Sequence, residues 1–236
     1  ELWPDRKFPT AADLDAAVPD RPVWLERVDG HASVGNSAAL RAAGITAATK
    51  APPSGKIIDG LFVDAAAALV DRVVPPPTDA QRREALLKAQ EMLLANGLTA
   101  VADMGTSLPE WRAMNALYRD GALNLRVMSY AAGSDALKEI EAERQPGWLH
   151  ADRLRLLGVK LYADGALGSR GAWLKQPYAD APATRGLPLL TPEQLKEQAS
   201  AAASRNHQLA VHAIGDAAND MVLTAYEQLG SARGDK

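Results

Sequence analysis

Four residues have a type and setting suited to chemistry: Asp103, Lys160, Asp164 and His212. Lys160 lies in the run Leu154–Asp164, which reads as a strand. There Leu157, Val159, Leu161 and Ala163 form one apolar face, while Leu156, Gly158, Lys160, Tyr162 and Asp164 form the other. A lysine flanked by Val159 and Leu161 on a central strand cannot easily reach water. Held there as an unpaired ammonium it would cost several kcal/mol, so it needs a partner or altered chemistry. His212 occupies a similar place in the strand 209–214, with Ala210 and Ile214 on its face and Leu209, Val211 and Ala213 on the other. Asp103 ends the apolar run 98–102. Three strands thus bring an acid, a lysine and an imidazole to comparable depth, a constellation suited to metal binding or acid–base work.

Plainer readings stand beside these. His212 could be a hydrogen-bonded core residue, Lys160 an ion-pair partner of Asp103 or Asp164, and Asp103 a cap on the next segment. Asp216 and Asn219 suit a helix start, and His150 and His207 lie beside turn signals, where exposure is expected. There is no GxGxxG, no P-loop and no GxSxG elbow, so nucleotide cradling and serine hydrolysis have no support. The absence of cysteine removes disulfides and thiolate chemistry. A net charge of −3 gives no footprint for nucleic acid or anionic lipid, and no apolar run is long enough to span a membrane.

The elements that must position these groups follow a helix–strand rhythm from residue 78 onward. Thr78 and Gln81 make a capping box ahead of Leu86, Leu87, Ala89, Leu93 and Leu94 at helical spacing, and Gly97 closes that helix. The pattern returns at Thr191, Pro192 and Gln194, followed by Leu195, Ala199, Ala202 and Ala203. Between them are a helix near 109–119 and strands near 123–131 and 154–163. Strands apolar on both faces alternating with helices predict an α/β fold with a parallel sheet or barrel. Residues 1–77 break the rhythm: a helix near 11–17, a strand 23–27, a helix near 37–43, a proline-rich loop and a helix near 61–73 are expected. Pro75-Pro76-Pro77 makes a stiff boundary, so two regions are expected, 1–77 and 78–236. The 236-residue chain starts at Glu1 without an initiator methionine or signal-like segment and ends in a polar stretch, 230–236. An internal fragment of a longer protein is therefore expected.

The stretch VKLYADGALGSRGAWL at 159–174, followed by VHAIGDAAND at 211–220, resembles the amidohydrolase superfamily, and within it the branch of N-substituted formamide deformylase. FPTAADLDAAVPDRPVWLERVDGHASVGNSAAL at 8–40 is similar to the insertion that branch carries after its first barrel strand. The resemblance implies a (β/α)8 TIM-type barrel holding one or two divalent metals, usually zinc. Residues 1–77 would be the α/β insertion and 78–236 a partial barrel of about strands two to five. Lys160 matches the strand-four ligand, which the family can carry as a carbamate, and His212 matches the strand-five ligand. His31 and Asn36 would line the substrate pocket, with Asp164, Ser169 and Arg170 in the loop after strand four. The family's His-x-His pair is absent, since the histidines are His31, His150, His207 and His212, and so are its strand-six His and strand-eight Asp.

The expected function is thus a portion of a metal-dependent amidohydrolase cleaving an amide-type C–N bond of a small molecule. No general base is assigned within this chain. On its own it should be inactive and prone to self-association, because the missing N- and C-terminal barrel segments would leave strand edges open. Its compartment would be the cytoplasm, or the periplasm if a signal peptide precedes Glu1. The alternative is a non-catalytic α/β binding module derived from the same fold.

Overall fold

The computed structural model describes residues 7–144 and 146–233. The terminal stretches 1–6 and 234–236 lie outside the described residues. Elements run in the order α1 (Ala11–Ala17), β1 (Trp24–Glu26), β2 (Ala32–Gly35), α2 (Ser37–Ala42), β3 (Gly55–Ile58), β4 (Leu61–Asp64), α3 (Ala68–Asp71) and α4 (Asp79–Ala95). They continue with β5 (Ala100–Thr106), α5 (Leu108–Arg119), β6 (Arg126–Ala132), α6 (Gly133–Glu143), β7 (Leu154–Tyr162), α7 (Pro192–Ser204), β8 (Gln208–His212) and α8 (Asp216–Arg233). The chain forms two compact units. One holds the chain up to Pro75 with Tyr162–Pro192 and Ala213–Thr224; the other holds Pro76–Leu161, Glu193–His212 and the chain from Ala225. No helix among the described residues is long and apolar enough to cross a membrane.

The first unit is built on an antiparallel sheet of order β1-β2-β4-β3. The sequence predicts a helix at 61–73 and a loop before it; the structure has the hairpin β3–β4 and the short α3 instead. The reason is the dipeptide Asp59-Gly60, whose φ angles of 46° and 86° make the two-residue turn whose twist suits a hairpin. It pairs Ile58 with Leu61 and turns an apolar run into a strand. Phe62 packs on one face with Ala43, Ala66 and Val70, its ring edge-on to Trp24 at 5.3 Å. Leu61, Val63 and Ala32 cover the other face with Leu187.

The second unit carries a sheet of order β5-β6-β7-β8, with parallel pairing of β5 to β6 and of β6 to β7. Its helices begin as their residue types require. Thr78 caps α4 in a reciprocal box with Gln81, Ser107 does the same for α5 with Glu110, and α7 starts at Pro192. The amphipathic helix α6, absent from the sequence expectation, buries Leu137 and Ile140. Leu154, Leu156, Val159 and Leu161 are buried along β7.

Two β-bulges decide which side chains share a face. In β7, Ser129 of β6 pairs with Leu156 but Tyr130 pairs with Gly158, so Leu157 has no opposite number. The strand therefore changes phase there: Leu154 and Leu156 join Val159 and Leu161 on the covered face, and Leu157 is left half-buried. Simple alternation, which put Leu157 on the covered face and Leu156 opposite it, fails at this one point. In β5 a shift between Met104 and Thr106 follows Gly105, whose φ is 140°.

Candidate functional site

In the second unit, Lys160 lies opposite Ala132 of β6, with Val159 opposite Ala131. Val159 is fully buried and Lys160 half-buried, so the lysine lies on the face away from the packed apolar side chains, the face of Tyr130 and Gly158. Burial lowers the Lys160 amine below its ordinary range. The next strand, β8, is tied to the same face by Tyr130, whose hydroxyl donates to Gln208 Oε1 at 2.6 Å. Alternation from Gln208 then places His212 on that face too. β8 can lie this close because residue 158 is glycine: a Cβ there would stand 2.0 Å from the Gln208 carbonyl oxygen.

Asp103 does not join this pair. β5 continues to Thr106, so Asp103 sits mid-strand, opposite Ser129. Thr106 donates to its carboxylate, and Ser129 donates to the Thr106 hydroxyl at 2.5 Å, a polar chain whose hydroxyl-bearing residues are fully buried. Asp103 lines a small apolar hollow of about 180 Å³ with Leu86, Leu93, Met114 and Val127. Burial raises its carboxyl above the ordinary range. His150 and His207 are likewise not exposed. His150 stacks on Tyr118 at 5.1 Å and meets Asn115 Oδ1 at 2.9 Å; His207 is 7% exposed and meets Glu141 at 2.7 Å.

The other expected residues lie in the first unit. Asn36 follows β2 and caps α2, fully buried. Its Oδ1 accepts from Ala39 and Val23 N–H, and its Nδ2 donates to the Val18 and Arg21 carbonyls, so all four hydrogen-bonding positions are taken by main chain. Asp164 is also fully buried and accepts from the N–H groups of Trp173, Ile214 and Gly215, organising the loop after β7. Ser169 donates to the Ala166 carbonyl at 3.2 Å, and the half-exposed Arg170 pairs with Asp180 at 3.0 Å. His31 is 8% exposed, with its ring edge-on to Tyr162 at 6.3 Å.

One residue of this group is absent from the sequence expectations. Asp64, at the end of β4, meets His31 Nδ1 at 2.8 Å through Oδ1, with its side chain only 1% exposed. The signal in the sequence that marks it is Asp59-Gly60, which turns 61–64 into a strand and ends that strand on an acid.

The whole chain, residues 1–236, matches the profile described as "Amidohydrolase family". The chain belongs to the amidohydrolase family. Among similar proteins, LONG AFTER FAR-RED 3 of Arabidopsis thaliana is 36% identical over 98% of this chain and 42% of its own length. YtcJ of Bacillus subtilis strain 168 is 34% identical over 97% of this chain and 46% of its own length. The crystal structure of an uncharacterized metal-dependent hydrolase from Pyrococcus horikoshii OT3 aligns over 95% of this chain and 45% of its own, with TM-score 0.70 and 30% identity. One from Pyrococcus furiosus gives TM-score 0.68 and 32% identity over 94% and 46%. The chain thus spans less than half the length of each of these relatives.

The donors that this chain offers a metal can be tested against its own geometry. An imidazole and a partly desolvated lysine share one sheet face on neighbouring strands, a chemically suitable pair. No group of three His, Asp or Glu side chains is gathered for a metal among the described residues. The pair fits as part of a ligand set and does not complete one, since a hydrolytic zinc takes about three protein ligands.

Proposed function

We propose that this chain is part of a metal-dependent amidohydrolase that cleaves an amide-type C–N bond of a small molecule with water. The observation that carries the reading is Lys160 and His212 on one face of adjacent strands, away from the packed apolar side. In this proposal Lys160 and His212 hold a divalent ion, zinc in the first instance. When bound, such an ion polarises the scissile carbonyl and brings the pKa of water toward ~7. His212 serves as a neutral imidazole. Lys160 serves as a carbamate: its neutral amine adds to carbon dioxide and releases one proton, giving an anion with two donor oxygens. The burial that lowers the lysine's pKa favours the neutral amine this step needs.

Residues 78–236 are read as about strands two to five of a (β/α)8 barrel and 1–77 as the insertion of the formamide deformylase branch. The three motifs at 8–40, 159–174 and 211–220 support that branch. On the substrate side the reading keeps His31, with Ser169 and Arg170 beside the loop that Asp164 organises. Open strand edges give the segment a tendency to self-associate, and its incomplete ligand set leaves it without turnover by itself.

The test compares this chain with one extended at both ends to its relatives' length, each assayed for bound metal and for amide hydrolysis. Stoichiometric metal and turnover in the extended form alone, both lost in His212→Ala, are expected. No metal in either form overturns the proposal and leaves a binding module derived from the fold.

A further inference from the structure

Three unfavourable features converge on Asp64. Its backbone is in the left-handed region, with φ 50°. Its carboxylate is buried, which raises its pKa against the opposing hydrogen bond of His31. Its Oδ2 is buried with no hydrogen-bond partner among the described residues. Buried polar atoms are nearly always paired, and backbone strain persists only where the surroundings enforce it.

Two glycines leave the space that this placement needs. A Cβ at Gly165 would stand 2.5 Å from Asp64 Oδ2 and 2.6 Å from Oδ1, and one at Gly171 would stand 2.4 Å from Oδ2. No side chain can occupy either place while the carboxylate stays where it is. The loop closes on itself around this contact, Gly165 donating to the Gly171 carbonyl at 3.2 Å and Gly171 to that of Ala166 at 2.9 Å. The carboxylate therefore has the His31 ring on one oxygen and two bare backbone positions against the other. A carboxylate accepts hydrogen bonds and does not donate them, so the imidazole must carry its proton on Nδ1.

We propose that Asp64 is a positioning residue for His31. It fixes the ring, in its neutral form, in the tautomer protonated at Nδ1, and Gly165 and Gly171 leave the space the carboxylate occupies. Any hydrogen bond His31 makes through Nε2 is then one it accepts, which selects an N–H or O–H donor on the partner group. That a small-molecule substrate supplies a donor group to His31 rests on the hydrolase reading above; the tautomer does not.

The tautomer is read directly from the imidazole ¹⁵N shifts of the labelled 236-residue chain, at a pH well above the ordinary histidine range. His31 is expected to show the Nδ1-protonated pattern, opposite to that favoured by free histidine. Asp64→Asn, which keeps an acceptor and tolerates the left-handed backbone, should retain it. Asp64→Gly relieves the strain and removes the acceptor, and should revert the ring to the Nε2-protonated form. Gly171→Ala, which displaces the carboxylate without touching His31, should do the same. An Nε2-protonated His31 in the parent chain overturns the proposal even if a variant fails to fold, as does a pattern unmoved by Asp64→Gly. In the extended enzyme, Asp64→Gly should raise KM about 2- to 10-fold at unchanged metal content, the worth of one positioned hydrogen bond. If that enzyme turns over nothing, the hydrolase reading fails while the ¹⁵N result still decides the role of Asp64.

Discussion

Asn36 offers the sharpest separation between a residue that meets substrate and one that builds the unit around it. Its side chain makes four hydrogen bonds to main chain, between 2.7 and 2.9 Å, and is wholly buried. Asn36→Ala removes the α2 cap on Ala39 N–H, a loss of about 1 kcal/mol. It also strands the Val23 N–H, which is half-buried and costs roughly another 1 kcal/mol. The Val18 and Arg21 carbonyls belong to exposed residues that water can reach, so each loses only about 0.5 kcal/mol. The sum is about 3 kcal/mol, and Asn36→Ser, which keeps the cap, should lose about 2 kcal/mol. Urea unfolding of the full chain measures the total, and amide exchange at Val23 and Ala39 reads it locally, accelerated on the order of 100-fold in Asn36→Ala. A substrate-facing asparagine would instead leave stability within ~0.5 kcal/mol of the parent. That result, with unchanged exchange, would refute the assignment of Asn36 to the framework.

Gly158→Ala drives a Cβ to within 2.0 Å of the Gln208 carbonyl oxygen, a backbone atom that cannot retreat while β8 stays paired. A loss of about 3 kcal/mol is expected, a fall of about 6–12 °C in Tm by circular dichroism; an unchanged melt would mean that β8 does not lie this close. Tyr118 donates to the Leu125 carbonyl at 2.7 Å, and burial pushes its pKa up to about 12. The unfolded phenol titrates near ~10, so the stabilisation is complete below that pH and is lost as pH rises from there toward the folded value. Urea stability measured across this window should decline less in Tyr118→Phe than in the parent, and parallel declines would contradict the burial.

Much of the second unit was legible because its signals are local. Thr78 with Gln81, and Pro192, mark helix starts by chemistry that acts within one turn, and the α4 and α7 starts are found there. The half-buried setting of Lys160 was legible because alternation holds over the last residues of β7. Asp103 was misplaced because its strand runs three residues beyond it, to Thr106, so an acid at the apparent end is in fact inside. The phase change at Leu157 depends on how β6 pairs with β7, which no single strand encodes. In the first unit the apolar run at 61–63 followed by alanines resembles a helix until Asp59-Gly60 is weighed as a turn. The Asp64–His31 contact joins residues 33 positions apart and depends on glycines a further hundred residues on, so spacing alone does not reveal it.

That last separation has a consequence for how the protein is made. The hairpin β3–β4 closes through a two-residue turn and can form as soon as residue 64 leaves the ribosome. The glycines that enclose its terminal aspartate are encoded about 100 residues later, which at cellular rates of synthesis is roughly 5–20 s. Through that interval Asp64 has His31 within the chain already made but lacks the cover of residues 165–171. Its enclosure is complete only when residues 165–171 arrive, so the final environment of this side chain is a late event in the life of the chain, set by segment order as much as by contact.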